Sequence, residues 1–120
     1  MTEIWQMGAA EIAQAVRQGA LSATEVTKAH LARIAAVNPA INAIVQPCEA
    51  EALTTAAQID AARAQGQTLG PMAGVPVTIK VNVDQAGHAT TNGLRLQQGL
   101  VAEADSPVVA NLRRAGAVIV

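Results

Sequence analysis

Lys80 is the residue of this chain best placed to do chemistry. It lies between Ile79 and Val81 in the run Gly74–Asp84, GVPVTIKVNVD, and Lys28 is the only other lysine. A lysine with such neighbours has two uses. On the polar face of a half-buried strand it is a solvated surface cation, the usual fate of lysine. Held away from water, its ammonium form is disfavoured, and the neutral amine can then accept a proton near neutral pH. Residue type and flanks alone leave both open.

Other reactive side chains offer less. His30 and His88 are far apart, and neither has a Cys, Asp or Glu at a recognised metal-ligand spacing, so no metal site is expected. His30 falls in an expected helix as a partly buried structural residue, and His88 in a loop as an exposed one. Cys48 is the single cysteine, which excludes an intramolecular disulfide and suits a reducing compartment. It follows Pro47 and has no basic neighbour to activate it, so it is expected to be inert. Gly66, Gly70 and Gly74 recur every four residues, but Pro71 interrupts them, which excludes a membrane-helix interface and a phosphate loop. Ser22 and Ser106 are the only serines, and each stands at an expected helix N-terminus.

Composition narrows the function classes. The chain has 120 residues, one domain at most, with 51 % hydrophobic and 14 % charged residues. That balance suits a buried segment rather than a disordered one. Alanine dominates, Phe and Tyr are absent, and Trp5 is the lone aromatic, so the core material is small for a chain of this length. Eight Lys+Arg against nine Asp+Glu give a net charge of −1 with no block of either sign. A nucleic-acid partner, which needs a basic stripe and stacking aromatics, is not expected. Nor is a membrane partner, because no apolar run approaches the ~18 residues of a span. The opening MTEIWQMGAAE has no basic n-region, so no secretory signal is expected and the location expected is cytoplasmic.

The elements that must position Lys80 follow from period and punctuation. AAEIAQAVRQ puts Ile12 and Val16 on one helical face, closed by Gly19. SATE, Ser22–Glu25, has capping-box spacing and opens a second helix carrying Val26, Ala29, Ala32 or Arg33, Ile34 and Val37, expected to stop at Asn38-Pro39. INAIVQP is β-like and ends at Pro47. Residues 49–65 form an alanine-rich helix, whose small side chains either admit a close neighbour or reflect helix propensity alone. Gly66–Pro76 is loop. VPVTIKVNV then alternates as a strand, with Thr78, Lys80 and Asn82 on the polar side. After a loop over 84–93, DSPVVANLRRAGAVIV is a helix feeding a buried strand. Asp105 or Ser106 caps the helix, Pro107 takes its first turn, Val108, Val109 and Leu112 form its buried face, and Gly116 closes it. A helix feeding a buried strand is a half-step of a larger α/β sheet, so the chain is expected to be cut in mid-fold.

GPMAGVPVTIKVNVDQAGHATTNG, Gly70–Gly93, followed by DSPVVANLRRAGAVIV, Asp105–Val120, resembles the N-terminal part of the amidase signature family. The alanine-rich helix with Asp60 and the earlier NPAINAIV are similar to that family's lead-in, so the resemblance runs from about residue 8 to residue 120. It implies an α/β fold in which N-terminal helices lead into the first strands of a mixed central sheet. It also implies that residues 1–120 are the N-terminal part of one larger amidase domain, with 1–66 a mainly helical lead-in and 67–120 the start of the catalytic core.

The family resemblance further implies hydrolysis of carboxylic amides by a nucleophilic serine, a bridging serine in a cis peptide, and a lysine, here Lys80, as general base. It implies a small-molecule amide substrate and neither metal nor organic cofactor. Asn82 and Asp84 are expected to order the loop beside Lys80. Two features depart from the common pattern. Lys80-Val81-Asn82 stands where members commonly have K-D-N, and TTNG, Thr90–Gly93, stands where many have T-T-x-x-S. Both disfavour the branch of amidotransferase subunits that act on charged tRNA. The Gly/Ser-rich stretch carrying the two serines is not in this chain, which alone is expected to be inactive. The alternative from another class is a non-catalytic relic or binding subunit.

Overall fold

The computed structural model describes residues 2–120. In chain order it holds α1 (Ala9–Gln18), α2 (Ala23–Ile41), α3 (Glu49–Ala64), β1 (Pro76–Val77), α4 (Pro107–Arg114) and β2 (Val118–Ile119), with 3-10 turns at Ile4–Gln6 and Arg95–Gln97. This is the α/β arrangement expected of the sequence.

The helix ends obey local chemistry. At the start of α1 the Glu11 carboxylate accepts from Gly8 N–H at 2.7 Å, and Gly19 closes the helix in the left-handed region at φ 77°. At the start of α2, Ser22 Oγ accepts from Glu25 N–H at 3.0 Å while Glu25 Oε2 accepts from Ser22 N–H at 2.8 Å. These backbone and hydroxyl hydrogen bonds from Ser22 hold the Glu25 carboxyl below the usual carboxylate range.

The second helix does not stop at Asn38-Pro39. It runs on to Ile41, because Asn42 N–H reaches Asn38 O at 2.7 Å and Pro39 removes only one bond from the last turn. The expected strand INAIVQP is absent for a related reason. The Asn38 side chain grips Ile44, donating to its O and accepting from its N–H, both at 2.9 Å, which ties the segment to the helix end. Of the expected inner face of α2, Val26 is buried with Ala23 and Thr27, whereas Ala32 and Arg33 are exposed, Arg33 lying 4.2 Å from the Trp5 ring centroid. His30 is the structural residue expected, its Nδ1 at 2.8 Å from Val26 O.

The sheet is two-stranded and parallel, with Pro76 opposite Val118 and Val77 opposite Ile119. Side chains alternate along β2. Val118 and Val120 pack with Ala52 of α3, while Ile119 packs on the other face with Val109 of α4 and Cys48. Helices thus cover both faces, as a parallel pair requires. Ala52 and Ala56 are the buried residues of α3, so its small side chains do admit close neighbours. Gly116, at φ 93°, lets the backbone turn into β2 where a Cβ would stand 2.9 Å from Ala73 Cα. In α4 the cap is Ser106, and Val109 is buried, but Val108 is 60 % exposed. An eight-residue helix packed on one face of the sheet buries a narrow stripe, and Val108 is one step around from it.

Candidate functional site

Strand β1 is far shorter than VPVTIKVNV suggested, and Lys80 lies beyond its end. The chain turns at Lys80–Val83, where Val83 N–H donates to Lys80 O at 3.0 Å, and Val81 O accepts from Asn92 N–H at 3.2 Å. No strand pairs residues 78–83, and these two bonds engage Val83 N–H and the carbonyls of Lys80 and Val81. This places Lys80, exposed, at the edge of a cavity of about 510 Å³. Three stretches that are remote in sequence line it with Lys80: Ala43–Gln46 before α3, Gln85–Ala89 in part, and Ile119–Val120 at β2.

The lining is largely apolar, with a polar group of Gln46, Gln85 and His88. Each is pinned. Gln46 Nε2–H donates to Ala89 O at 2.7 Å. His88, expected to be exposed, has a side chain only 16 % accessible, with Nε2 at 2.8 Å from Glu51 Oε1 on the first turn of α3. Gln85 is 7 % exposed and places Nε2 at 3.7 Å from Cys48 Sγ. Burial pushes the Cys48 thiol up, and the Gln85 hydrogen bond offsets this only partly. Cys48 is buried, in keeping with the inert role expected of it.

Asn82 and Asp84 do not line this cavity. Asn82 is exposed in the Lys80–Val83 turn. Asp84 Oδ1 accepts from Thr90 Oγ1–H at 2.6 Å, its backbone O accepts from Ser106 N–H at 2.9 Å, and it borders a different recess of about 340 Å³. Asp84 therefore braces the loop toward TTNG and α4. Both serines serve as caps: Ser22 Oγ accepts from Glu25 N–H, and Ser106 Oγ from Val109 N–H at 3.4 Å. Sequence reasoning missed Gln85, the Ala43–Gln46 wall and the His88 pairing. Two of these contacts join residues 37 apart in the chain, and no local pattern announces such a contact.

Among the described residues, no group of three or more His, Cys, Asp or Glu could hold a metal ion, and no helix is long and apolar enough to cross a membrane.

Comparison with known proteins places this geometry. The indoleacetamide hydrolase of Bradyrhizobium diazoefficiens is 46 % identical over 117 residues, which is 98 % of this chain and 22 % of that protein. A glutamyl-tRNA(Gln) amidotransferase subunit from Salinispora arenicola is 44 % identical over 119 residues, 99 % of this chain and 24 % of that protein. The solved structure of a peptide amidase from Stenotrophomonas maltophilia superposes with a TM-score of 0.87 at 34 % identity, over 96 % of this chain and 24 % of that one. The chain thus spans about a quarter of the length of these relatives. The family profile described as Amidase matches residues 25–120. On the motifs from Gly70 to Val120, the two-sided sheet and this match, the chain belongs to the amidase family.

Proposed function

We propose that this segment supplies the general base, Lys80, to an enzyme hydrolysing small carboxylic amides in the cytoplasm. The observation that carries the reading is the position of Lys80, in the turn just beyond β1 and lining a largely apolar cavity of about 510 Å³. In the Ser–cisSer–Lys scheme its neutral amine takes the proton of a bridging serine, which takes that of the nucleophile. The nucleophile attacks the amide carbonyl, the leaving amine receives the proton, and water then cleaves the acyl-enzyme. Backbone N–H groups stabilise the oxyanion.

Both serines come from outside residues 1–120, since Ser22 and Ser106 are occupied as helix caps. Residues 1–66 act as a helical lead-in and 67–120 as the start of the catalytic core of one larger domain. Lys80 is exposed here, so the cover that strips water from its amine also comes from that larger body. Asn82 and Asp84 act on the loop beside the base. The test is hydrolysis of a primary carboxamide by the longest native polypeptide carrying this segment, with the 120-residue chain as a control that stays inactive.

A second reading is favoured by the 44 % identity to the Salinispora amidotransferase protein: this segment serves one component of a complex that acts on charged tRNA. Activity that appears only with the other components and charged tRNA would select it over the free amidase. An intact mass of 12.2 kDa for the native protein would instead select a non-catalytic relic.

A further inference from the structure

Gln85, in the lining of the Lys80 cavity, holds a hydrogen-bond acceptor that none of the described residues uses. Gln85 is 7 % exposed, and its Oε1 accepts no hydrogen bond among the described residues. That oxygen is not sealed in the core, because the sealed and unpartnered polar atoms are Thr27 Oγ1 and Arg63 Nε. It therefore keeps some accessible surface, and Gln85 lines the cavity it shares with Lys80.

The carboxamide of Gln85 points its NH₂ group at Cys48. The Cys48 thiol has one hydrogen, which it gives to Gln46 O at 3.6 Å. With that hydrogen given to Gln46, the sulfur accepts from Gln85 Nε2–H at 3.7 Å. The carbonyl oxygen is left turned away from Cys48. An acceptor open to the cavity is met by water when the cavity is empty, and a ligand that donates an N–H to it takes that water's place.

We propose that Gln85 is a specificity-determining residue of this cavity, its Oε1 accepting an N–H of the substrate's carboxamide. The proposal rests on the amidase reading and deepens it. A primary amide has the N–H to give, and the ester of the same acid has none. Gln85 would therefore discriminate amide from ester without taking part in proton transfer, and Cys48 would serve as the positioning residue that holds its orientation.

The test measures kcat/KM for phenylacetamide and methyl phenylacetate in the longest native polypeptide carrying this segment, comparing wild type with Gln85→Met and Gln85→Asn. The readout is the amide-to-ester ratio, which does not depend on the fraction of molecules correctly folded. Met removes the acceptor and Asn withdraws it by one methylene. Each should lower the ratio, Met by about tenfold, the share of one hydrogen bond. An unchanged ratio in both variants, with amide and ester falling together or not at all, overturns the assignment of Gln85 and leaves the amidase reading standing. Wild-type protein that cleaves neither compound overturns both.

Discussion

The carboxylate of Asp60, on α3, holds the first turn of α2 through Thr24: Oδ2 accepts from the Thr24 hydroxyl at 2.6 Å and from Thr24 N–H at 3.0 Å, while Oδ1 accepts from Ala23 N–H at 2.7 Å. A helix N-terminus presents unpaired N–H groups and a partial positive charge, so a carboxylate there answers both. The contact also fixes how the two helices cross, and α3 in turn carries Ala52 against β2. Asp60 thus links the helical lead-in to the sheet from which Lys80 emerges.

Removing that link should be measurable. Asp60→Ala should cost about 1–2 kcal/mol, the scale of a lost helix cap. Asp60→Asn, which keeps an acceptor, should cost less. Urea midpoints give the comparison, and equal losses for the two variants would mean that the acceptor is not what matters.

The capping box beside it has a pH signature. Glu25 has its carboxyl lowered by hydrogen bonds from Ser22, so its contribution is present above the unfolded carboxylate value, about 4.3, and is lost as pH falls through the lower folded value. A carbon-detected titration of Glu25 should show the depression, and Ser22→Ala should return it toward the ordinary range. A Glu25 titration unaltered by Ser22→Ala would contradict the box.

Two glycines with similar backbone should respond differently to alanine. Gly87, at φ 81°, has nothing within 4 Å of an added Cβ, so Gly87→Ala should cost only the left-handed strain of about 1–2 kcal/mol. Gly116 has that strain together with the Ala73 backbone 2.9 Å from the added Cβ. Gly116→Ala should be the more damaging by at least ~1 kcal/mol in thermal or urea unfolding. Equal costs would mean that the approach of Ala73 to Gly116 is loose.

Cys48 makes a prediction in the opposite pH direction. Burial raises its folded pKa, so its contribution to stability is intact below the unfolded thiol value, about 8.5, and is lost as pH rises toward the folded value. Stability should decline across that window in wild type and more weakly in Cys48→Ala. Iodoacetamide at pH 7.5 should label the native thiol far more slowly than the urea-unfolded one. Rapid native labelling would show that the Cys48 side of the cavity is open.

What the sequence discloses and what it hides divide along the range of the interaction. Ser22 and Glu25, Gly19, and Ser106 with Pro107 specify helix ends from neighbours a few residues away, and those ends stand where the spacing puts them. The misreadings arise where a nonlocal or side-chain bond overrides pattern. Asn38 captures Ile44 and prevents a strand, and Lys80–Val83 forms a turn although the alternation of apolar residues continues. Period counting also put Val108 inside, since it cannot tell which residues of a short helix meet the sheet. Lys80 was legible because it is embedded in a dense local motif. Gln85 was not, since its meaning depends on Cys48, 37 residues away, and on a cavity formed by three separate stretches.

The central claim is that Lys80 is the general base. Its most direct test is kcat/KM for a primary carboxamide in the longest native polypeptide carrying this segment, before and after Lys80→Ala. Loss of a positioned base should lower the rate by about 10²–10⁴-fold while the fold, followed by thermal unfolding, is unchanged. A variant that keeps its activity within a fewfold of wild type would contradict the claim and return Lys80 to the role of an exposed surface cation.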